Sequence, residues 1–214
     1  MEIKRTANAG VLLRLDGVTI LLDGVCREVK PYPATPPELR QKLLADKPDV
    51  VAFTHGHADH YDPSFVSEYL QYPAGPVLGP ADIPFSRENP LQVGSVTITP
   101  VDSHHMGKVD PIGHRSYVIQ GSKCVWFMGD ASPLHWLERT DLPRPDVLMA
   151  PYGFAIGHGW DITKALNPGL VVLLHLPDRR EDIYGLWDAV EHTTARQSHP
   201  MVLIPKLGET VRLL

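Results

Sequence analysis

One short stretch, residues 54–60 with the sequence THGHADH, constrains this chain more than any other. Its candidate metal ligands are His55, His57, Asp59 and His60. These residues stand one or two positions apart, whereas side chains that share a helical face stand three or four apart, so the stretch predicts a loop. Imidazole nitrogens and carboxylate oxygens are donors that Zn²⁺ takes in proteins. The loop is therefore a candidate metal site.

The residues around this loop predict a strand before it and a helix after it. Residues 49–53 (DVVAF) form a short apolar run rich in β-branched side chains, which is typical of a buried strand. Beyond the loop, Asp62 is suited to cap a helix, and Pro63 is suited to its first position. The sequence thus predicts the order strand, ligand loop, helix.

Other predicted strands also end on residues that can bind a metal. Buried apolar runs end at Asp23, His55, Asp130 and His175, and the pair His104–His105 follows a further strand. Loops at strand ends often carry binding and catalytic residues, because a rigid sheet holds them in place. We expect these side chains to meet in a single site.

The pattern along the whole chain favours an α/β fold of the layered α+β kind. Asp16-Gly17 between two apolar runs predicts a hairpin. Helices are predicted over residues 37–45, 63–70 and 182–194. The last helix places Ile183, Leu186, Trp187 and Val190 on one face. We expect residues 1–214 to form a single domain, with two sheets packed together and helices outside.

Composition excludes several classes of partner. The 214 residues carry a formal net charge of −5, so no electrostatic footprint for nucleic acid or an anionic membrane is expected. Two cysteines are too few for a disulfide scaffold. Neither a signal peptide nor a membrane-spanning run is predicted, which favours a cytoplasmic protein. The expected partner is a small-molecule substrate. The oligomeric state is not predicted.

Taken in order along the chain, these residues resemble the metallo-β-lactamase fold superfamily. The similarity consists of Asp23, the stretch at 55–60, a later histidine, Gly129-Asp130 and His175. The chain is most similar to the small metal-dependent hydrolases, including the sugar-lactonase-like branch. This resemblance implies an αββα sandwich of two mixed β-sheets with helices on the outer faces. It also implies a dinuclear metal site, in which a metal-bridging hydroxide acts as the nucleophile.

The resemblance implies a ligand set for each of two divalent ions, with Zn²⁺ expected and Mn²⁺ or Fe²⁺ as alternatives. For the first ion the implied ligands are His55, His57 and His105, with His104 as the alternative to His105. For the second ion they are Asp59, His60 and His175, and Asp130 bridges the two. Asp23 is implied to support the ligand loop from behind.

The residues leave several roles open. Asp59, Asp130 and His158 are candidate catalytic residues, with His158 in a predicted glycine-flanked loop where it could donate a proton or contact a phosphate. His114 is either a substrate-side residue or a turn residue. Tyr152 is either an oxyanion donor or an aromatic packed under the site.

The function predicted from this chemistry is hydrolysis of a small ester, lactone or phosphodiester. One alternative is an RNA- or DNA-processing phosphodiesterase on the same fold. The other is a non-catalytic metal-binding module. His57 stands where oxygen-reducing di-iron relatives carry glutamate, which favours hydrolysis over redox chemistry.

Overall fold

The computed structural model describes residues 1–71, 75–107, 113–195 and 199–213. Its first sheet has the order β13-β1-β2-β3-β4-β5 and consists of β1 (Glu2–Arg5), β2 (Val11–Leu15), β3 (Val18–Leu22), β4 (Val50–Ala52), β5 (Val77–Leu78) and β13 (Thr210–Arg212). Its second sheet has the order β12-β11-β10-β9-β8-β7-β6 and consists of β6 (Leu91–Val93), β7 (Val96–Asp102), β8 (Arg115–Gln120), β9 (Cys124–Phe127), β10 (Val147–Pro151), β11 (Leu170–Leu174) and β12 (Met201–Leu203).

Helices cover both sheets on their outer faces. They are α1 (Pro37–Asp46), α2 (Pro63–Tyr69), α3 (Gly157–Leu166) and α4 (Leu186–Thr194). One buried cluster, with Leu13 and Val172 among its members, fills the space between the sheets. A second cluster packs the outer face of the second sheet against α3 and α4. A third packs the first sheet against α1 and α2. This layering confirms the predicted αββα sandwich.

Strand direction gathers the strand ends at one edge. In the first sheet, β3 and β4 are parallel. In the second sheet, β9, β10, β11 and β12 are parallel, and β7 runs the same way because both β7 and β9 are antiparallel to β8. Ligands of open α/β sheets bind outside the carboxyl ends of the strands. All the strand-end residues singled out in the sequence follow such ends.

The hairpin and the elements around the ligand loop form as predicted. Strands β2 and β3 pair across Asp16-Gly17, where both residues have positive φ angles of 49° and 82°, as a tight hairpin turn requires. The Asp62 carboxylate caps α2 by accepting a hydrogen bond from the Ser64 amide, and Pro63 begins that helix. The loop therefore lies between a rigid strand and a capped helix.

The predicted helix over residues 182–194 begins too early, and α4 starts at Leu186. The Asp182 carboxylate accepts hydrogen bonds from the Leu186 and Trp187 amides, at 3.0 and 2.8 Å, so it caps the helix instead of entering it. The prediction that Ile183 shares a helical face with Leu186, Trp187 and Val190 is wrong, because Ile183 precedes the helix and is 80% exposed.

The predicted loop around His158 is also wrong, because residues 157–166 form α3. Two glycines in its first turn hide the helical pattern in the sequence. Gly159 is required by packing, since a Cβ there would lie 1.9 Å from the carbonyl oxygen of Gly153. The short strands β1 and β6 were not predicted either.

Within the part of the chain that the structure describes, no helix is long and apolar enough to cross a lipid bilayer. The single-domain assignment of residues 1–214 and the cytoplasmic location stay predictions.

Candidate metal centre

Seven histidine and aspartate side chains from both sheets lie close together at the shared edge of the sheets. Within each of three overlapping groups, the potential ligand atoms lie within 4.8 Å of one another. The groups are His55, His57 and His105; His55, His60 and Asp130; and Asp59, His60 and His175. Every residue predicted as a metal ligand is therefore brought into one cluster.

Asp23 fixes the ligand loop from behind. Its Oδ1 accepts a hydrogen bond from the Thr54 amide at 2.7 Å, and its Oδ2 accepts one from the Thr54 hydroxyl at 2.6 Å. The same Oδ2 lies 2.8 Å from His60 Nδ1. Because a carboxylate can only accept, His60 Nδ1 carries the proton and Nε2 keeps its lone pair.

His55 is held in the same tautomer. Its Nδ1 lies 2.9 Å from the Thr54 hydroxyl, whose hydrogen is already given to Asp23. The hydroxyl oxygen must then accept from His55 Nδ1, which leaves Nε2 as the free donor atom. One buried carboxylate thus orients two of the histidines in the loop.

The adjacent pair His104–His105 is divided between the surface and the site. His105 Nδ1 donates to the carbonyl oxygen of Met106 at 2.6 Å, and its Nε2 lies 3.5 Å from Asp130 Oδ2. His104 is exposed, and its carbonyl oxygen accepts a hydrogen bond from the Ser132 amide. Adjacent residues of an extended chain point to opposite sides, so only His105 faces the cluster.

These donors fit a metal ion. The Nε2 atoms of His55, His60, His105 and His175 are buried without a hydrogen-bond partner among the described residues, as is Oδ1 of Asp130. Buried polar atoms are costly to leave unpaired, so a cluster of them is explained by a cation at its centre. Imidazole and carboxylate donors in this number suit Zn²⁺ and related divalent ions.

The charges of the cluster also favour a cation. Burial raises the pKa of Asp130, but His175 and His60 outweigh it and hold that pKa well below its ordinary value. Burial lowers the pKa of His175, yet Asp130 and Asp59 raise it to about 9. Burial lowers the pKa of His55, which keeps this imidazole neutral. Asp130 and Asp59 stay ionised, and the same charges that raise the pKa of His175 would stabilise a divalent cation bound in place of its proton.

Asp130 is positioned by a hydrogen-bond chain in the second sheet. Its backbone amide donates to His114 Nε2 at 3.1 Å, so His114 Nδ1 carries the proton and donates to Ser103 Oγ at 2.7 Å. Ser103 Oγ lies 3.1 Å from Ser116 Oγ, which donates to the carbonyl oxygen of Met128. Burial lowers the pKa of His114 to about 3, so the ring is neutral. His114 thus supports the backbone of Asp130, a role that was not among those predicted.

Gly129 allows the two sheets to meet beside Asp130. Its φ angle is +55°, and a Cβ there would lie 2.5 Å from the Thr54 side chain. Any other residue would push Asp130 away from the ligand loop.

A family model described as a β-lactamase superfamily domain matches residues 2–175. The chain belongs to the metallo-β-lactamase superfamily. The match covers every predicted metal ligand, from His55 to His175. It places the chain among the metal-dependent hydrolases of this fold.

Individual relatives of this superfamily are distant in sequence. A UPF0173 protein of Pyrococcus abyssi is 26% identical over 194 residues, which span 82% of this chain and 83% of that protein. The structure of Igni18, a metallo hydrolase from Ignicoccus hospitalis, has a TM-score of 0.70 at 20% identity and covers 98% of this chain and 97% of Igni18. An isothiocyanate hydrolase from Delia radicum gut bacteria has a TM-score of 0.68 at 18% identity and covers 99% of each chain. At these identities the two structures establish the shared fold.

Three residues that the sequence analysis did not predict as site residues contact the cluster. Asn8 Nδ2 lies 3.4 Å from Asp59 Oδ2, and the Tyr32 ring packs edge-on against His175 at 4.5 Å between centroids. Thr54 joins Asp23 to His55, as described above. Only Thr54 had a signal in the sequence, because it immediately precedes the first ligand. Asn8 and Tyr32 lie on distant loops without a recognisable pattern.

Two other candidates have different positions. The Tyr152 ring is half-buried, with its centroid 6.3 Å from that of His175. His158 is exposed on the first turn of α3. No hydrogen bond or ring contact joins His158 to the ligands in the described parts of the chain, so its catalytic role stays a prediction without a supporting contact.

Proposed function

We propose that this protein is a two-metal hydrolase that cleaves a small ester, lactone or phosphodiester. The observation that carries the proposal is the shared tautomer of His55, His60 and His105. Each ring donates through Nδ1 to a protein oxygen and leaves Nε2 facing the cluster. Because the three rings already point their free Nε2 atoms at the cluster, they could bind a metal ion with little rearrangement.

The ligands divide between two ions as follows. His55, His57 and His105 would hold the first, Asp59, His60 and His175 would hold the second, and Asp130 would bridge them. The position of Asp130 supports its bridging role, since its carboxylate oxygens lie 3.3, 3.5 and 3.2 Å from Nε2 of His60, His105 and His175. A purely structural zinc site closes with four protein ligands, so seven candidates favour a catalytic centre.

Divalent ions bound here would lower the pKa of a coordinated water, giving a nucleophile near neutral pH, and would polarise the scissile carbonyl or phosphoryl group. In the hydrolysis, the water oxygen forms a bond to carbon or phosphorus while the bond to the leaving oxygen breaks. While one oxygen of Asp59 would bind the second ion, its other oxygen would accept the proton of the attacking water and return it to the leaving oxygen. Asn8 holds that carboxylate in place.

Tyr32 and Tyr152 flank His175, with ring centroids 4.5 and 6.3 Å from that of the imidazole. Burial raises the pKa of both phenols, so both hydroxyl groups stay protonated at neutral pH. They can therefore donate hydrogen bonds to a substrate oxygen, and neither can serve as a base.

Metal analysis and a substrate screen test the proposal together. Elemental analysis of protein purified without chelator should give about two ions per chain, with Zn²⁺ expected before Mn²⁺ or Fe²⁺. Metal-loaded protein should hydrolyse at least one class among esters, lactones and phosphodiesters, and a chelator should abolish this activity. Metal content near zero in metal-replete preparations would refute the two-metal centre. Full metal content without any hydrolysis would favour a non-catalytic module, and salt-sensitive cleavage of RNA would favour the nuclease alternative.

A further inference from the structure

A cavity of about 610 Å³ opens beside His175, and we call it the Arg5 pocket. Its lining includes Arg5, Asn8, Tyr32, Leu176, Trp187 and Lys206. Two of these residues also touch the metal centre, since Asn8 bonds to Asp59 and Tyr32 packs on His175. A molecule in the pocket would therefore have one end next to the second metal site.

Arg5 contributes a positive charge to this pocket without a matching carboxylate. Its guanidinium donates to the carbonyl oxygens of Ala7, Asn8, Leu176 and Pro205, at 3.0–3.4 Å. Among the described residues, Arg5 forms no ion pair with an aspartate or glutamate. Burial lowers the pKa of this guanidinium, which reflects the cost of holding its charge away from water.

The other charged residues of the pocket do not cancel this excess. Arg179 pairs with Glu191, and Arg180 pairs with Asp178 at 3.1 Å, so these two cations are balanced. Lys206 is exposed and has no ion pair within the described ranges. The chain as a whole has a net charge of −5, so two unbalanced cations beside the metal centre run against its general character.

The remaining lining is apolar or aromatic. Leu176 is buried at the base, and the Trp187 indole is fixed by a hydrogen bond of 2.9 Å to the carbonyl oxygen of Pro177. The Arg179 guanidinium covers the Trp187 ring at 4.1 Å. Small-molecule sites commonly combine such walls with a few polar groups that set the orientation of the ligand.

We propose that the Arg5 pocket binds the anionic end of the substrate, a carboxylate or phosphate carried on a short apolar body. Lys206 and the one guanidinium N–H of Arg5 that the four carbonyl oxygens leave free bind this anion. Tyr32 and Trp187 contact the apolar body, and the scissile bond lies over the metal centre. This inference rests on the proposed hydrolase function. It narrows the substrate to small anionic esters or lactones.

A matched pair of esters tests the pocket. Para-nitrophenyl hexanoate and mono-para-nitrophenyl adipate have acyl chains of equal carbon number, but only the adipate ends in a carboxylate. The metal-loaded enzyme should show a higher kcat/KM for the adipate ester than for the hexanoate ester. Lys206→Glu should reduce this ratio by about tenfold or more, because it places a negative charge at the anion site.

The control is Lys123→Gln, in the turn between β8 and β9 at the opposite end of the strands, which should leave both rates unchanged. Arg5→Gln should reduce the ratio further if circular dichroism shows that it folds; if it does not fold, Lys206→Glu decides. Equal kcat/KM for both esters in the wild type, or a ratio that Lys206→Glu leaves unchanged, would overturn the proposal.

A binding measurement separates failure of the pocket from failure of the hydrolase function. If neither ester is cleaved, calorimetric titration of the metal-loaded protein with monomethyl adipate and with dimethyl adipate still tests the anion site. The monoanion should bind in the wild type and should bind at least about tenfold more weakly in Lys206→Glu, whereas the neutral diester should distinguish little between the two proteins. Equal binding of the monoanion and the neutral diester would refute the proposed anion site.

Competition by phenyl phosphate against phenylacetate shows which anion the site prefers.

Discussion

The two sides of the metal centre are built in different ways. On the side of the first sheet, one loop supplies four candidate ligands within six residues, and the single carboxylate of Asp23 orients two of them through Thr54 and His60 Nδ1. On the side of the second sheet, His105, Asp130 and His175 come from the ends of three strands. Among the described residues no single side chain anchors all three: His105 Nδ1 donates to the Met106 carbonyl, and the Asp130 amide donates to His114.

This difference shows how the site depends on the fold. The ligand loop is a local unit, so a single change at its anchor should disturb several ligands together. The ligands of the second sheet meet only because β7, β9 and β11 run in the same direction, so each should respond to its own support. The loss of metal binding and activity should therefore be larger when a substitution affects more ligands.

The largest effect is expected for Asp130→Asn, because Asp130 joins the two sides. The substitution keeps the size of the side chain but removes its charge and one anionic oxygen. We expect kcat/KM to fall by about three orders of magnitude or more, while the sheets stay folded. Hydrolysis rates and metal content measure this effect, with Asp161→Asn on the exposed face of α3 as the matched control. Full activity with a full complement of metal would show that Asp130 is not the bridge.

The pair His104–His105 gives the next largest effect. His105→Ala removes one of the three imidazoles proposed for the first metal site, and we expect the metal affinity to fall by more than about 100-fold, beyond the loss typical of a supporting residue. His104→Ala should retain metal, because this side chain is exposed. Metal titration of both variants measures the difference. Tight binding by His105→Ala together with weak binding by His104→Ala would reverse the assignment.

The same contrast explains how much of the protein could be predicted from its sequence. The hairpin at Asp16-Gly17 and the ligand loop were predictable because each depends on neighbouring residues. The convergence of Asp130 and His175 on that loop was predictable from the recurrence of metal-capable residues at strand ends and from the resemblance to the superfamily. Tyr32, Asn8 and the support given by His114 were not, because long-range packing alone brings them to the site. Helix α3 was missed since Gly159 is required by tertiary packing and weakens the local helical signal.

A smaller effect is expected for Asp23→Asn, at the anchor of the ligand loop. The asparagine oxygen can still accept from the Thr54 amide, but its NH₂ group then faces His60 Nδ1. Because two donors cannot bond, His60 must move its proton to Nε2, which blocks the atom that faces the metal. We expect metal affinity to fall about 10–100-fold. Asp49→Asn is the control, since Asp49 also accepts a backbone hydrogen bond, from Thr19, but lies at the opposite end of β4. Loss of metal in Asp49→Asn to the same extent would indicate general destabilisation instead.

The smallest effect is expected at His114, which accepts the hydrogen bond of the Asp130 backbone amide and whose ring lies beside those of His55 and His105. His114→Ala leaves the Asp130 amide without its buried acceptor, so the strand end that carries the carboxylate loses part of its restraint. We expect kcat/KM to fall about tenfold with metal content nearly unchanged. His114→Gln can offer an oxygen to the Asp130 amide and an NH₂ group to Ser103, and should recover part of the loss. Kinetics and elemental analysis of both variants measure this, and the thermal stability of each serves as the control. If His114→Ala lost as much metal as His105→Ala, His114 would be a ligand and not a support, and the two sides of the centre would be less different than the hydrogen bonds indicate.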